Sequence, residues 1–172
     1  SVKDVVDEIV ILDTGSSDNS IEVARRYTDK VYERPWDNSF ANARNAVMAY
    51  ATGDWILSLD ADERLDPESA KILKPLLAKV PPQIHLCLVN LKMQEDCGTE
   101  YQQFLAERLL RNRRGIVWRG DMHNWIETPF STERGALGGV NVLHNRVVRP
   151  QAARQERCKQ RVEMAEATFL PK

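Results

Sequence analysis

Apolar residues in this chain gather in short runs of β-branched and aromatic side chains, each of which ends in a polar turn. The runs VDEIVIL, DKVYERP and DWILSL predict three buried strands in the first third of the chain. Further along, the alternating segment QIHLCLVNLKM predicts a half-exposed strand. AERLLRNRRGIVWRGDMHNWIE predicts two strands around a turn at Arg114 and Gly115, and GALGGVNVLHN predicts one more.

Helical spacing predicts three helices between and after the first strands, over 21–27, over 40–53 and from 67 onward. Pro75 should kink or shorten the third helix. Strands and helices therefore alternate, which predicts an α/β fold with a mainly parallel sheet and a ligand beyond the carboxyl ends of its strands. The tail over 152–170 predicts an amphipathic helix that docks on the domain, on a partner or on further sequence.

Composition and charge are those of an ordinary globular protein, with 42% hydrophobic and 28% charged residues among 172. The 24 basic and 25 acidic residues give a net charge of -1, so nothing in the balance indicates nucleic acid as a partner. No apolar run approaches the roughly 20 residues that span a bilayer, and no leader pattern opens the chain. We therefore expect a cytoplasmic protein, with contact to the inner face of the membrane as an alternative. Three scattered cysteines predict reduced thiols.

The stretch GDWILSLDADERLDP runs an apolar strand directly into acidic residues, among them Asp60 and Asp62. On an ideal strand these two carboxylates point to the same side, and Mg²⁺ or Mn²⁺ with its bound phosphates would offset their repulsion. A D-x-D pattern alone is weak, because a solvated turn produces it as well. Asp13, in ILDTGSSD, follows another strand and should lie at the same sheet edge. The sequence therefore predicts a metal and nucleotide site at this edge.

Four motifs resemble those of a known family. DTGSSD, W-x-x-x-F-A-x-A-R-N, GDWILSLDADE, and R-G-x-M-H-N with LHN follow the order found in family 2 glycosyltransferases of the GT-A fold. The likeness is strong over about the first 80 residues and looser beyond them. It is closest to the bacterial branch that includes peptide S-glycosyltransferases and lipopolysaccharide-core glucosyltransferases. The resemblance implies an α/β, Rossmann-like GT-A sheet with helices on both faces.

The resemblance also implies a reaction and its participants. A metal-dependent inverting glycosyltransferase would move a sugar from a nucleotide-sugar, expected to be a UDP-sugar, to a peptide, glycan or lipid acceptor, with Mg²⁺ or Mn²⁺ as cofactor. Two other interpretations stay open. One is a nucleotidyltransferase, which also holds metal and triphosphate with acids at strand ends. The other is a non-catalytic interaction module that forms homo-oligomers or docks through its C-terminal helix.

For the nucleotide, the resemblance implies that Asp13 contacts the uracil or ribose and that Thr14 and Ser16 line the same loop. Arg44 and Asn45 would lie near the nucleotide. Arg44 could equally pair with an acid at the sheet edge, which is a structural role.

For the metal, the resemblance implies that Asp60 approaches both the ribose and the metal and that Asp62 binds the metal directly. His144, in VLHN, matches a position at which this fold supplies another metal ligand from its C-terminal half. Because a lone histidine is often a structural residue, both roles stay open for His144.

An inverting transferase also needs a base beside the acceptor hydroxyl or thiol. Asp121, His123 and Glu127 are the candidates. Asp121 stands where the family often has a basic residue, which favours His123 or Glu127. Trp118 and Trp125 could stack on a sugar face, or they could be core residues.

Members of this family normally begin with a strand that this sequence does not show, because it starts just before what would be the second strand. We therefore expect an N-terminally incomplete glycosyltransferase domain over 1–150, followed by a C-terminal amphipathic helix over 151–172. A sheet that lacks its first strand would expose a central edge, at which pairing with another chain is a risk.

Overall fold

The computed structural model describes residues 1–94, 101–112, 114–121, 123–129 and 134–144. Three helices and nine strands occur in these ranges. In chain order they are β1 Ile11–Asp13, α1 Ser20–Arg25, β2 Val31–Glu33, α2 Phe40–Tyr50, β3 Trp55–Leu57, β4 Glu63–Leu65, α3 Pro67–Leu77, β5 Leu86–Gln94, β6 Tyr101–Arg111, β7 Val117–Arg119, β8 Trp125–Glu127 and β9 Arg134–His144. The predicted tail helix over 151–172 and the domain boundary at 150 lie outside the described residues.

The three predicted helices are confirmed, and side-chain caps explain where two of them begin. The Ser39 hydroxyl accepts a hydrogen bond from the Asn42 amide at 3.2 Å at the start of α2. The Asp66 carboxylate accepts from the amides two and three residues further on, at 3.1 and 3.2 Å, and Pro67 occupies the first position of α3. Pro75 lies inside α3 without ending it.

Strand pairing divides the described residues into three sheets. β1 and β2 pair in parallel, as expected from the helix between them. The largest sheet has the order β3-β6-β5-β9-β4, in which only β5 and β9 are parallel. β7 and β8 form a separate antiparallel ribbon. The prediction of a mainly parallel sheet is therefore wrong for the largest sheet, because only six residues separate β5 from β6, too few for the crossover that a parallel pair needs, and the two strands pair as antiparallel neighbours.

Side chains on the two faces of the largest sheet enter two separate cores. Leu86 and Leu110 pack with α2 and the β7–β8 ribbon, whereas their chain neighbours Cys87 and Leu109 pack with α3. All four side chains are 0% exposed. One helix therefore covers each face, which confirms the predicted α/β fold with helices on both faces.

β1 and β3 belong to different sheets within the described residues, so paired strands do not join their carboxyl ends. The expectation that the turns after these two strands share one sheet edge is therefore wrong for this part of the chain. Helix α2 packs against both β1 and β7, and so links the β1–β2 pair to the β7–β8 ribbon. In the described residues β1 pairs with β2 alone and β3 with β6 alone.

Glu8, just before β1, ties three segments together. Its carboxylate accepts hydrogen bonds from the Thr52 amide at 2.7 Å and the Thr52 hydroxyl at 3.0 Å, and it forms an ion pair with Lys30. The hydrogen bond from Lys30, followed by that from the Thr52 amide, lowers the pKa of Glu8 to about 2. Because the ordinary value is 4.5, this carboxylate stabilises the fold above that pH and loses the contribution as the pH falls toward 2.

We expect Glu8→Gln to lower the free energy of unfolding by about 2 kcal/mol at pH 7 and by progressively less below pH 4.5. Urea unfolding at pH 7 and at pH 3 measures both values. The control is Glu22→Gln, which removes an exposed ion pair with Arg26 and should change little at either pH. If Glu8→Gln lowered the free energy of unfolding by the same amount at pH 7 and at pH 3, the charge-based explanation would be contradicted.

Candidate functional site

The acidic turn between β3 and β4 runs from Asp60 through Asp62 and closes onto Glu63. The Glu63 amide donates to the Asp60 carbonyl oxygen at 2.9 Å, and the Asp60 amide donates to Glu63 Oε2 at 3.0 Å. The Glu63 side chain is only 1% exposed. Hydrogen bonds in both directions therefore close the turn around a buried carboxylate.

Asp60 is paired with Arg44 of α2. Arg44 Nη2 donates to both carboxylate oxygens of Asp60, at 2.6 and 2.9 Å, and Nη1 donates to Asn124 Oδ1 at 2.7 Å. The guanidinium carbon also lies 4.6 Å from the centroid of a Trp118 ring. Of the two roles considered for Arg44, the structure shows the pairing with an acid, and it adds a connection to the loop before β8.

Asp62 contacts His144. Asp62 Oδ2 lies 3.2 Å from His144 Nε2, although the two residues are 82 positions apart in sequence. The register of β4 and β9 explains the contact, because it places His144 opposite Glu63 and thus beside the turn. The two aspartates have different partners, Arg44 for Asp60 and His144 for Asp62, and Asp62 lies in a turn and not in the ideal strand that the prediction assumed.

The expected metal ligands were Asp60, Asp62 and His144, and the structure brings only the last two into contact. Within the ranges that the structure describes, no group of three or more His, Cys, Asp or Glu side chains is placed to hold a metal ion. Asp60 does not join this pair in the structure, and its carboxylate is bound by Arg44 instead. Asp62 offers a carboxylate oxygen, the type of ligand that Mg²⁺ and Mn²⁺ prefer, and His144 places an imidazole nitrogen beside it. Such ions can take one or two protein ligands and complete their shell with water and substrate phosphate.

The turn after β1 is held by the Asp13 side chain. Asp13 Oδ2 accepts from the amides of Gly15 and Ser16 at 2.9 Å each, and Oδ1 accepts from the Ser16 hydroxyl. That hydroxyl and the Ser16 amide lower the pKa of Asp13 below its ordinary value, so the carboxylate is charged at neutral pH. Gly15 has φ +112, a conformation that favours glycine. Thr14 is half-buried beside Asp13.

The three candidate bases lie on the β7–β8 ribbon and its loop. Glu127 pairs with Arg119 across the ribbon and is 52% exposed. Asp121 is exposed, and its carbonyl oxygen accepts from the Phe40 amide at 3.1 Å, which fixes the loop on the start of α2. His123 is exposed and precedes Asn124, the residue that Arg44 links to the acidic turn. Of the three candidate bases, His123 is therefore the one that adjoins Asn124, the residue that Arg44 bonds together with Asp60.

Asn45 and Trp118 hold the ribbon on α2. The Asn45 amide nitrogen donates to the Trp118 carbonyl oxygen and its amide oxygen accepts from the Trp118 amide, both at 2.9 Å. The predicted nucleotide contact of Asn45 would therefore compete with two structural hydrogen bonds. Trp118 is 4% exposed and packs in the core, whereas Trp125 is 58% exposed. Of the two roles considered, Trp118 takes the core role and Trp125 is available for stacking.

Sequence reasoning assigned no site role to three residues that build this site, namely Glu63, Arg108 and Asn124, although Glu63 stands in the acidic stretch and Asn124 in the R-G-x-M-H-N motif. Arg108 pairs with Glu63, and Asn124 accepts from Arg44. All three line a cleft of about 370 Å³, together with Asp60, His144 and Phe104. The signal for Arg108 was a pair of charged residues, Glu107 and Arg108, between Ala106 and two consecutive leucines in a strand.

Comparison with known proteins finds one matching family and several relatives. The profile of the family described as Glycosyl transferase family 2 matches residues 1–137. A TPR repeat-containing protein of Synechococcus elongatus is 39% identical over 127 residues, which cover 74% of this chain and 30% of the relative. The SPbeta prophage-derived glycosyltransferase SunS of Bacillus subtilis is 32% identical over 156 residues, covering 84% and 35%. An uncharacterized glycosyltransferase of Rickettsia felis is 35% identical over 68 residues, covering 40% and 24%.

The chain thus spans between 24% and 35% of the length of these curated relatives. Among the described residues, no helix has the length and apolar content that a membrane span requires.

We expect Asn45→Ala to lower the free energy of unfolding by about 2 kcal/mol, because it leaves a backbone amide and a carbonyl oxygen of Trp118 without partners. Asn42→Ala is the matched control on the same helix, since Asn42 is exposed and its side chain bonds only Asp37 among the described residues. It should cost less than about 0.5 kcal/mol. Chemical denaturation measures the free energy of unfolding of both variants. If Asn45→Ala and Asn42→Ala lowered it equally, Asn45 would not anchor the ribbon.

Proposed function

The chain belongs to glycosyl transferase family 2, and on that premise we propose that it holds the donor site of an enzyme that transfers a sugar from a UDP-sugar to an acceptor. Its α/β fold is GT-A-like. The observation that carries the proposal is the contact of Asp62 with His144 beside the Arg44–Asp60 pair, because it joins distant parts of the chain at one acidic turn.

The charge balance at this turn supports a cation at Asp62. Asp60, Asp62 and Glu63 bring three carboxylates together, and the guanidinium groups of Arg44 and Arg108 offset two of them. Asp62 contacts only a histidine ring among the described residues, so the surplus negative charge lies there. The diphosphate of a nucleotide-sugar adds more negative charge, and like charges at close range repel strongly in a partly buried site.

Asp62 and His144 would therefore hold Mg²⁺ or Mn²⁺ together with the diphosphate of the donor. When bound, the metal stabilises the negative charge that develops on the leaving diphosphate. Asp60, fixed by Arg44, presents its carboxylate to the ribose. Asp13 ends β1, which packs against α2, and its ordered turn offers backbone and side-chain groups to the uracil.

His123 is the base in this proposal. The acceptor is a peptide, glycan or lipid that presents a hydroxyl or thiol, and an imidazole nitrogen of His123 removes its proton as it attacks the anomeric carbon. The support is its place in the chain, next to Asn124, which Arg44 binds together with Asp60. Glu127 is engaged by Arg119, and the exposed ring of Trp125 offers a face on which a sugar can stack.

We expect Asp62→Asn to reduce the affinity for UDP in the presence of Mn²⁺ by at least about tenfold, and to leave metal-free UDP binding nearly unchanged, because the variant loses a charged ligand. Isothermal titration calorimetry with and without Mn²⁺ measures both affinities. Asp7→Asn is the matched control, since Asp7 is 90% exposed and pairs only with Lys74 among the described residues.

Asp62→Asn that binds Mn²⁺ and UDP as tightly as the parent would refute the metal assignment. For the reaction itself, the intact protein is incubated with a panel of UDP-sugars and the products are followed by mass spectrometry. UDP release that requires both a UDP-sugar and Mn²⁺ supports the proposed transfer, and pyrophosphate release from a nucleoside triphosphate would point to nucleotidyl transfer.

A further inference from the structure

We propose that Glu63 and Arg108 are positioning residues that hold Asp60 and Asp62 in the arrangement that receives the metal and the diphosphate. This inference rests on the proposed function and deepens it. Neither residue needs to touch the substrate. Their contribution would come from the shape that they impose on the turn.

The first support is the set of bonds that converge on Glu63. Arg108 Nε donates to Oε2 at 3.1 Å and Nη2 donates to Oε1 at 2.5 Å, a two-point ion pair. Oε2 also accepts from the Asp60 amide at 3.0 Å, at the start of the turn that presents both aspartates. Arg108 Nη2 lies 3.6 Å from Asp60 Oδ2 as well, so the pair contacts both the backbone and the carboxylate of Asp60.

The second support is an irregularity of β6 at Arg108. In the pairing of β5 with β6, Cys87 is opposite Leu109 and Leu88 is opposite Glu107, so that Arg108 has no partner residue on β5. This is the pattern of a β-bulge, which bends a strand locally and redirects a side chain. On its other side the Arg108 carbonyl oxygen accepts from the Ser58 amide at 2.8 Å. The bulge thus directs the Arg108 side chain toward the turn, while its backbone carbonyl oxygen keeps a hydrogen bond to Ser58, the residue after β3.

The third support is that stability alone is a weak reason for this pair. The side chains of Glu63 and Arg108 are 1% and 11% exposed, so both charges lose most of their hydration on folding. Replacing such a buried pair with apolar side chains of similar volume is often neutral or stabilising. An apolar pair, however, could not accept a hydrogen bond from the Asp60 amide. The property that requires this chemistry is therefore the geometry of the turn.

The consequence for Asp62 follows from its position between two fixed points. On one side Glu63 holds the Asp60 amide, and on the other the β4–β9 register fixes Glu63 opposite His144. If the hydrogen bond between the Glu63 side chain and the Asp60 amide is lost, the backbone from Asp60 to Glu63 can rotate. The 3.2 Å contact of Asp62 with His144 is then no longer held in place. Residues that orient metal ligands in this way typically change metal affinity by about 10- to 100-fold when they are replaced.

The test compares Glu63→Gln, the double variant Glu63→Leu with Arg108→Met, and the control Glu68→Gln in the intact protein. Glu68 forms an exposed ion pair with Lys71 and takes no part in the turn. We expect both site variants to lose at least about tenfold in UDP affinity in the presence of Mn²⁺, and to keep metal-free UDP affinity within about twofold. Titration calorimetry below the melting temperature of each variant gives the affinities.

The double variant separates positioning from stability. We expect its melting temperature to equal or exceed that of Glu63→Gln, because two buried charges are removed together, while its Mn²⁺-dependent UDP affinity stays at least about tenfold below that of the parent. A double variant that is stable and binds Mn²⁺ and UDP like the parent overturns the proposal. A loss of equal size in Glu68→Gln would overturn it as well.

A ligand-free measurement keeps this inference distinct from the proposed function. The amide proton shifts of Asp60 and Asp62 in nuclear magnetic resonance spectra report the turn directly, without nucleotide or metal. We expect both to move in the double variant. If the parent binds no UDP with Mn²⁺, the proposed donor site fails, yet these shifts still decide whether Glu63 holds the turn. An Asp62 amide shift that stays unchanged in the double variant overturns the inference.

Discussion

Three carboxylates and two guanidinium groups meet at the turn between β3 and β4, and this unequal count shapes the rest of the site. Arg44 and Arg108 offset Asp60 and Glu63, so these two acids are held in place by ion pairs. Asp62 is left facing a histidine. A fold can tolerate such a cluster because most of its charge is compensated internally, and the remainder is confined to one half-exposed side chain.

Each partner of the turn is supplied by a different element, which makes the site a product of the tertiary fold. Helix α2 supplies Arg44, the bulge in β6 supplies Arg108, and the end of β9 supplies His144. Arg44 also bonds Asn124 and so connects the acidic turn to the loop that carries His123. In the proposed reaction, one arginine would thus lie between the donor side and the acceptor side of the site.

Much of the fold could be predicted from local sequence. The pairing between distant segments could not. The spacing of apolar residues indicated the three helices and most strands correctly, and the structure adds the caps Ser39 and Asp66, which were not predicted from the sequence. The short strand β4 and the antiparallel order of the largest sheet were not predicted, because both depend on partners far away in sequence. The acidic turn was visible in the sequence. No local pattern showed that Arg44 would form an ion pair with Asp60, or that Glu63 would pair with Arg108, which is 45 positions further along the chain.

The contact between Asp62 and His144 depends in turn on the burial of apolar side chains further along the β4–β9 pair. In the β4–β9 pair Leu65 lies opposite Val142, and these side chains are 2% and 0% exposed. A slip of one residue would turn this pair toward the other face of the sheet and lose its burial, so the register is strongly fixed. The same register places His144 opposite Glu63. The apolar core therefore determines which histidine meets the acidic turn, and the packing of side chains two residues away becomes a condition for the chemistry proposed at Asp62.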